Sequence, residues 1–196
     1  YENRLGGAAN VALNLQSLGA ETILCSVIGD DNQGILFNKL MQDANLPTKG
    51  ILKVKGRKTT VKTRVIADNK HQLRIDEEET KAIKNEDELL KLIWNVISDI
   101  DVIILQDYNK GVLTPKVITK IIQVANDKKI PTIVDPKKKN FKCYKNCTIF
   151  KPNLAEIKVG MNIEFSDTDI QEIENASSKL MKILNSRGIL LTLSAQ

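Results

Sequence analysis

From residue 102 onward, short apolar runs alternate with helical patterns, and this alternation limits the possible folds more than any other feature of the chain. Residues 101–105 (DVIIL), 131–134 (PTIV), 148–150 (TIF) and 189–193 (ILLTL) are nearly continuous apolar runs, the pattern of strands covered on both faces. Thr114 and Pro115 supply an N-cap and a first-turn proline for a helix after the first run. A longer helix is predicted over 168–187, and Gly188 breaks it. Strand, helix, strand in this order implies an α/β fold with a mostly parallel sheet and helices on both faces. Ligands of such sheets bind beyond the carboxyl ends of the strands. Polar residues cluster there: Asp107 and Lys110, Asp135 and Lys137, Asn153 and Glu156, Thr192 and Ser194. One such residue is a solvated loop, whereas four strands ending this way imply a shared cleft.

The length of 196 residues suffices for one domain with a sizeable core, and no linker, repeat or low-complexity tract divides it. A hydrophobic share of 42% and a charged share of 27% are those of a soluble globular protein. No apolar run reaches the length of a membrane span, so no membrane partner is expected. Three sparse cysteines, Cys25, Cys143 and Cys147, fit a reducing, cytoplasmic compartment. The Cys143 and Cys147 spacing lacks the second pair of a zinc site and reads as two incidental thiols. The net charge of +5 calls for anionic partners, but aromatic residues make up only 4% and offer few platforms for bases. Phosphorylated small molecules fit better than nucleic acid. The run Lys137 to Lys139, with Lys142 and Lys145, reads as a solvated loop. His71 is the single histidine, so a histidine-activated nucleophile has no support.

The N-terminal part carries a second signal. Residues 4–29, RLGGAANVALNLQSLGAETILCSVIG, read as a glycine pair, a helix with Ala12, Leu13, Leu15 and Leu18 in its apolar pattern, a C-terminal glycine (Gly19), and a strand over 22–28. Gly6 and Gly7 admit close backbone approach, the helix start offers amides and a positive dipole end, and Asn10 lies in the first turn. A helix follows over 32–44, with Ile35, Leu36, Leu40 and Met41 at helical spacing, and then a strand over 50–54. Residues 58–77 alternate and read as a β-hairpin turning at Asn69-Lys70. Lys62 and Arg64 share one strand face, which fits either the lid of an anion-binding cleft or a solvated surface. A helix over 85–98 is expected to start at Asn85, with Glu88 completing a capping box.

Gly6, Gly7, Ala8, Asn10, Ala12, Gly19 and Gly29 resemble the first signature of the PfkB, ribokinase-like carbohydrate kinases. The flank from Arg4 to Ala12 is most similar to the branch that phosphorylates heptose 7-phosphate in ADP-heptose synthesis. The order Asp107-Tyr108-Asn109-Lys110-Gly111, then Asp135-Pro136-Lys137, then Asn153-Leu154-Ala155-Glu156 resembles later marks of the family. No Walker A or G-x-G-x-x-G motif competes with it.

The resemblance implies a ribokinase-like three-layer sandwich with a small β lid over about 58–77. It implies ATP-dependent phosphorylation of D-glycero-D-manno-heptose 7-phosphate at the anomeric hydroxyl, for ADP-heptose and the lipopolysaccharide core. Ribose, fructose, fructose 1-phosphate or a nucleoside are other acceptors of the family, and a non-catalytic sugar- or nucleotide-binding module is a further alternative. By resemblance, Gly6, Gly7, Asn10, Lys62, Arg64, Asp107 and Lys110 face the sugar phosphate. Lys137, Asn153, Glu156 and Thr192 face the nucleotide, with Glu156 holding Mg2+ through water. A homodimer through the lid is also implied. Members of the family begin with a strand bearing an acidic sugar ligand and end with Gly-Ala-Gly-Asp, whose Asp is the catalytic base. Neither occurs in these 196 residues, so the expectation is a fragment of the full fold, inactive by itself and without its base.

Overall fold

The computed structural model describes residues 2–68 and 70–193. Two compact units share the chain: Tyr1–Ile97 with Lys110–Val112, and Ser98–Asn109 with Leu113–Gln196. Asn69 and Ser194, both used above, lie outside the described residues.

The first unit opens with α1 (Ala8–Ser17), β1 (Ser26–Gly29), α2 (Asn32–Asp43) and β2 (Ile51–Val54). β1 and β2 pair in parallel from Ser26 opposite Ile51 to Gly29 opposite Val54. Helix α1 ends as its sequence demands. The Ala20 amide donates to the Leu15 carbonyl and the Gly19 amide to Gln16, with Gly19 at φ +89°, which together form a Schellman motif. Ala9 and Ala12 of α1 pack with Leu5, Met41 and Leu46 into one apolar cluster. Leu18 and Ile35, expected on the apolar faces, are 83% and 61% exposed. Leu18 follows the last turn of α1, and the small residues Ala9 and Ala12, the latter expected in the apolar pattern, make the close contact.

β3 (Val61–Ala67) and β4 (Lys70–Glu77) form the expected hairpin, with Lys70 already in the returning strand. They pair antiparallel, with a register shift between Val65 and Ile66. α3 (Glu86–Trp94) then buries Leu89, Leu90 and Ile93. It is shorter than expected, because Ile97–Asp99 winds as a 3-10 turn. The capping box at its start is also absent. The Asn85 side-chain amide donates to Glu88 Oε1 at 2.7 Å, so the two side chains satisfy each other rather than the helix amides.

The second unit is a four-stranded sheet in the order β5 (Ile103–Gln106), β6 (Thr132–Asp135), β7 (Ile149–Phe150), β8 (Gly188–Ile189). The three pairings are all parallel. α4 (Pro115–Asp127) joins β5 to β6, and α5 (Leu154–Met161) and α6 (Ile170–Leu184) join β7 to β8. Thr114 caps α4 through its hydroxyl, which accepts from the Val117 amide at 3.2 Å, as expected. The strands are shorter than the apolar runs that predict them. β7 pairs over only two residues, so β8 has a ladder of two, and Thr192 reaches only an isolated bridge to Asn153. Thr132 and Thr148 lock the start of β6 and β7, each hydroxyl accepting from the other's amide at 3.0 Å. Val117, Ile118, Ala125, Val134, Phe150, Leu180 and Leu184 are fully buried and form the interior of this unit. Phe150 meets Phe141 edge to face, with ring centroids 5.0 Å apart. Among the described residues no helix is long and apolar enough to cross a membrane.

Candidate functional site

The expected site residues fall into two groups, one in each unit. In the first unit, Gly7 is the N-cap of α1 at φ +55°, a left-handed conformation that favours glycine. A side chain at Gly6 would meet open space, so room is not what restricts that position. The first amides of α1 are less available than its sequence suggests. Ala9 N–H donates to the Gly6 carbonyl at 3.2 Å and Asn10 N–H to the Gly7 carbonyl at 3.1 Å, leaving mainly the dipole facing outward. Asn10 is exposed and lines a cavity of about 350 Å3 with Arg4, Leu5, Leu40 and Asp43.

The hairpin has two unlike faces. Val61, Thr63 and Val65 lie opposite Glu77, Ile75 and Leu73, while Lys62 and Arg64 lie opposite Asp76 and Arg74. Lys62 is not a free cation. Its ammonium is 2.8 Å from Asp76 Oδ2 and 3.5 Å from Glu78 Oε2. Arg64 faces a like charge, Arg74, is exposed, and has no hydrogen bond or ion pair among the described residues. Lys110 reaches the same carboxylate as Lys62, with Nζ 2.5 Å from Glu78 Oε2. Two lysines assigned separately to the substrate therefore converge on one glutamate.

A backbone clamp sets the Lys110 position. Arg57 donates to the carbonyls of Lys81 and Glu79 at 3.2 Å and to that of Lys110 at 2.5 Å. Gly111 sits at φ +74°, and a Cβ there would stand 1.9 Å from the Lys81 carbonyl oxygen, so only glycine fits. The hairpin's first strand is tied back to the turn after β1 by Asp31. This carboxylate caps α2 through the Gly34 amide and accepts from both the amide and the hydroxyl of Thr59. Burial works against its charge, but the bonds from Thr59 and Gly34 outweigh that and hold its carboxyl below the ordinary value. Glu78 is likewise held low, chiefly by its bond from Lys110.

In the second unit, the carboxyl ends of β5, β6 and β7 collect a paired set of charges. Asp107 is 3% exposed. Its Oδ2 accepts from the Tyr144 hydroxyl at 2.7 Å and its Oδ1 from the Asn109 amide at 2.7 Å. Asp135 accepts from Gln106 at 2.9 Å and pairs with Lys151 at 3.3 Å. Lys137 pairs with Glu156. Burial alone would lower the Lys137 pKa, but Glu156, then Asp135 and Asp107, outweigh it and raise it. Asn153 and Glu156, read above as a phosphate and metal pair, form a complete capping box for α5: Asn153 Oδ1 accepts from the Glu156 amide at 2.8 Å, and Glu156 Oε2 accepts from the Asn153 amide at 3.0 Å. With Lys137 on one oxygen and the helix start on the other, Glu156 retains spare lone pairs for one water-mediated contact. Among the described residues no three His, Cys, Asp or Glu side chains gather as a metal site. Thr192 bonds the Pro152 carbonyl through its amide at 3.1 Å.

Glu78, Tyr144, Arg57 and Asp31 are the residues that the sequence reading missed. The acidic run from Asp76 to Glu79 beside a basic strand was a usable signal for Glu78. Nothing local marks Tyr144, which reaches Asp107 from 37 residues away.

The profile of the pfkB family of carbohydrate kinases matches residues 1–196. The bifunctional protein HldE of Campylobacter jejuni subsp. jejuni is 40% identical over 193 residues, covering 98% of this chain and 40% of that protein. HldE of Citrifermentans bemidjiense is 35% identical, covering 97% of this chain and 39% of that protein. The chain thus spans about two fifths of the length of these relatives. In three dimensions the chain is similar to Escherichia coli phosphofructokinase-2 in complex with fructose-6-phosphate. The TM-score is 0.73 at 21% identity, with 97% of this chain and 63% of that chain covered. Its tetrameric inhibited form aligns equally well, with a TM-score of 0.73 at 19% identity.

Proposed function

The chain belongs to the pfkB family of carbohydrate kinases, and on that premise we propose that the protein carrying it transfers a phosphoryl group from ATP to the anomeric hydroxyl of D-glycero-D-manno-heptose 7-phosphate. ADP-heptose and the lipopolysaccharide core would be the downstream products, and the cytoplasm the place of reaction. The 196 residues make up one incomplete kinase domain in this reading, with its catalytic base supplied from elsewhere in the protein. The relation to HldE over nearly the whole chain supports the heptose branch.

Within the first unit, Gly6, Gly7 and Asn10 take the sugar, and Lys62, Arg64 and Lys110 take its phosphate. Within the second, Lys137, Asn153, Glu156 and Thr192 serve the nucleotide. Asp107 keeps a sugar-hydroxyl role only through lone pairs left over from Tyr144 and Asn109. Phosphoryl transfer needs positioning and neutralisation of developing charge. Lysine and arginine supply the second, and the capping box fixes Glu156 for the first. Mg2+, which screens the nucleotide's phosphates, would be reached from Glu156 through water. The exposed apolar face of the hairpin, with Val65, Leu73 and Ile75 at 42%, 53% and 47% exposure, supports a homodimer formed through the lid.

The single observation that carries a phosphorylated acceptor is Arg64, an exposed guanidinium without a partner among the described residues on a basic strand face. A planar fork suits phosphate because it bonds two oxygens at once. Arg64→Ala should weaken heptose 7-phosphate binding about 10–100-fold, the equivalent of losing a charged hydrogen bond of about 1.5–3 kcal/mol. Binding of unphosphorylated heptose should be unchanged. Calorimetry on the intact protein decides, and equal losses on both sugars would make Arg64 a structural residue and remove the support for a phosphorylated acceptor.

A further inference from the structure

Lys62 and Lys110 come from different parts of the first unit, one from β3 and one from the turn after β5, yet both ammonium groups approach the same oxygen. Glu78 Oε2 lies 2.5 Å from Lys110 Nζ and 3.5 Å from Lys62 Nζ. Two cations closing on one anionic oxygen is how a phosphate oxygen is bound. Here the chain's own carboxylate fills the place.

Resting on the phosphorylated-acceptor reading above, we infer that Glu78 is a built-in counter-ion of the phosphate site. It stands in for the ligand's phosphate while the site is empty, and it sets how strongly the site prefers phosphorylated sugars. The ion-pair group around it comprises Lys62, Arg74 and Lys110 against Asp76 and Glu78. One positive charge is left over, too little to hold a dianion tightly. Moving Glu78 off the lysines makes that excess two. Its place permits such a move, since it follows the last residue of β4, outside the ladder, and its side chain is 26% exposed. Lys62 keeps Asp76 as a second partner at 2.8 Å, so its ammonium stays oriented when Glu78 leaves. Arg64 lies two residues from Lys62 on the same strand face and adds the forked donor that this pair lacks. The arrangement costs affinity for the phosphorylated sugar and so holds the preference for it down. A phosphate dianion has to displace the carboxylate from the two lysines, whereas a neutral sugar does not contend for them.

The test replaces only the charge. Glu78→Gln keeps the size and one acceptor oxygen, and because the Glu78 and Lys110 pair is partly exposed the variant should fold, with a melting temperature lowered only slightly. Calorimetry on the intact protein should show heptose 7-phosphate binding about 3–10-fold tighter than wild type at low salt, as expected for one unit charge removed several ångströms from a dianion in water. The gain should shrink as salt is added. Unphosphorylated heptose should bind as before, and Glu78→Asp, which keeps the charge, should restore wild-type affinity. Inorganic phosphate is titrated in parallel, because its binding does not depend on which sugar is the substrate. Unchanged or weaker binding of both heptose 7-phosphate and inorganic phosphate by Glu78→Gln would overturn the inference. If wild type does not distinguish heptose from heptose 7-phosphate, the acceptor reading fails. The inorganic phosphate titration then decides the counter-ion role by itself, tighter binding upholding it and unchanged binding ending it.

Discussion

The β3–β4 hairpin and the β5–β8 sheet are built from similarly β-branched sequence and end in opposite environments. Every residue of β4 is exposed, and Val65, Ile66, Leu73 and Ile75 are between 42% and 64% exposed. In the sheet, Val134 and Phe150 are completely buried. The difference lies in periodicity. An alternating strand can bury one face at most, and its polar face carries solvent-screened ion pairs such as Lys62 with Asp76, each of which contributes little. A two-stranded hairpin of that kind is marginal by itself and depends on its anchor, here the Asp31 to Thr59 bonds. A continuous apolar strand forces cover on both faces, so its stability comes from packing. The hairpin thus depends on anchors outside its own strands, and the sheet on its own packing.

Removing packing from the sheet should give the largest effect. Phe150→Ala deletes a fully buried ring that meets Phe141 at 5.0 Å and Tyr144 at 6.0 Å. The expected loss is about 3–5 kcal/mol in urea unfolding followed by circular dichroism. A loss below about 1 kcal/mol would mean that the sheet is no better packed than the hairpin.

Acid should separate the two regions with a smaller effect. Asp76 is held low first by its bond from Lys62, Glu78 first by Lys110, and Asp31 by Thr59 and Gly34 against the cost of burial. A lowered folded pKa contributes stability that is present above the ordinary values of 3.8 and 4.5 and is lost as pH falls through the folded values. All three groups belong to the first unit. Limited proteolysis at about pH 3, below the ordinary carboxylate range, should therefore cut in and around the hairpin before the sheet loses its dichroism. Simultaneous loss would show that the ion pairs do not hold the hairpin. Alkali should bear more on the second unit. Burial pushes its Cys147 thiol up to about 12 and also raises Tyr108, Cys143 and Tyr144, against the Cys25 thiol of the first unit, pushed up to about 11. A raised group contributes stability present below its ordinary value, 9.0 for a thiol and 10.0 for a tyrosine, and lost as pH rises through the raised value.

The smallest effect is expected on the hairpin's apolar face. Ile75→Ser changes a residue that is 47% exposed, so folding stability should move by no more than about 0.5 kcal/mol. Sedimentation should nevertheless show a weaker dimer if this face meets a second copy. A protein that remains equally dimeric would remove the lid from the interface.

The order of elements was legible throughout, because periods of 2 and 3.6 and the punctuation by Gly19, Thr114-Pro115 and Gly188 are local signals. Strand ends were less so. The apolar run 189–193 is a ladder of two residues because β7 offers only two partners, a property of the neighbour rather than of the run. Asn85 and Glu88 had the spacing of a capping box and bonded each other, while Asn153 and Glu156, with the same spacing, formed the box. Spacing alone does not separate the two outcomes, since it leaves open which way each side chain turns.

The sequence by itself determined the α/β class, the alternation of elements and the family, since each rests on residue type at fixed spacing along the chain. It also marked Lys62, Arg64 and Lys110 as cations suited to an anion. Only the tertiary structure decided which charges are already answered. Lys62 is satisfied by Asp76 with Glu78 beside it, Lys110 by Glu78, Asp107 by Tyr144, and Lys137 by Glu156, each from a distant position, while Arg64 is left facing Arg74. The physical reason is range: secondary structure is fixed by neighbours within one turn or one pleat. Whether a charge is free to bind depends on what the fold brings within about 4 Å of it, the reach of an ion pair.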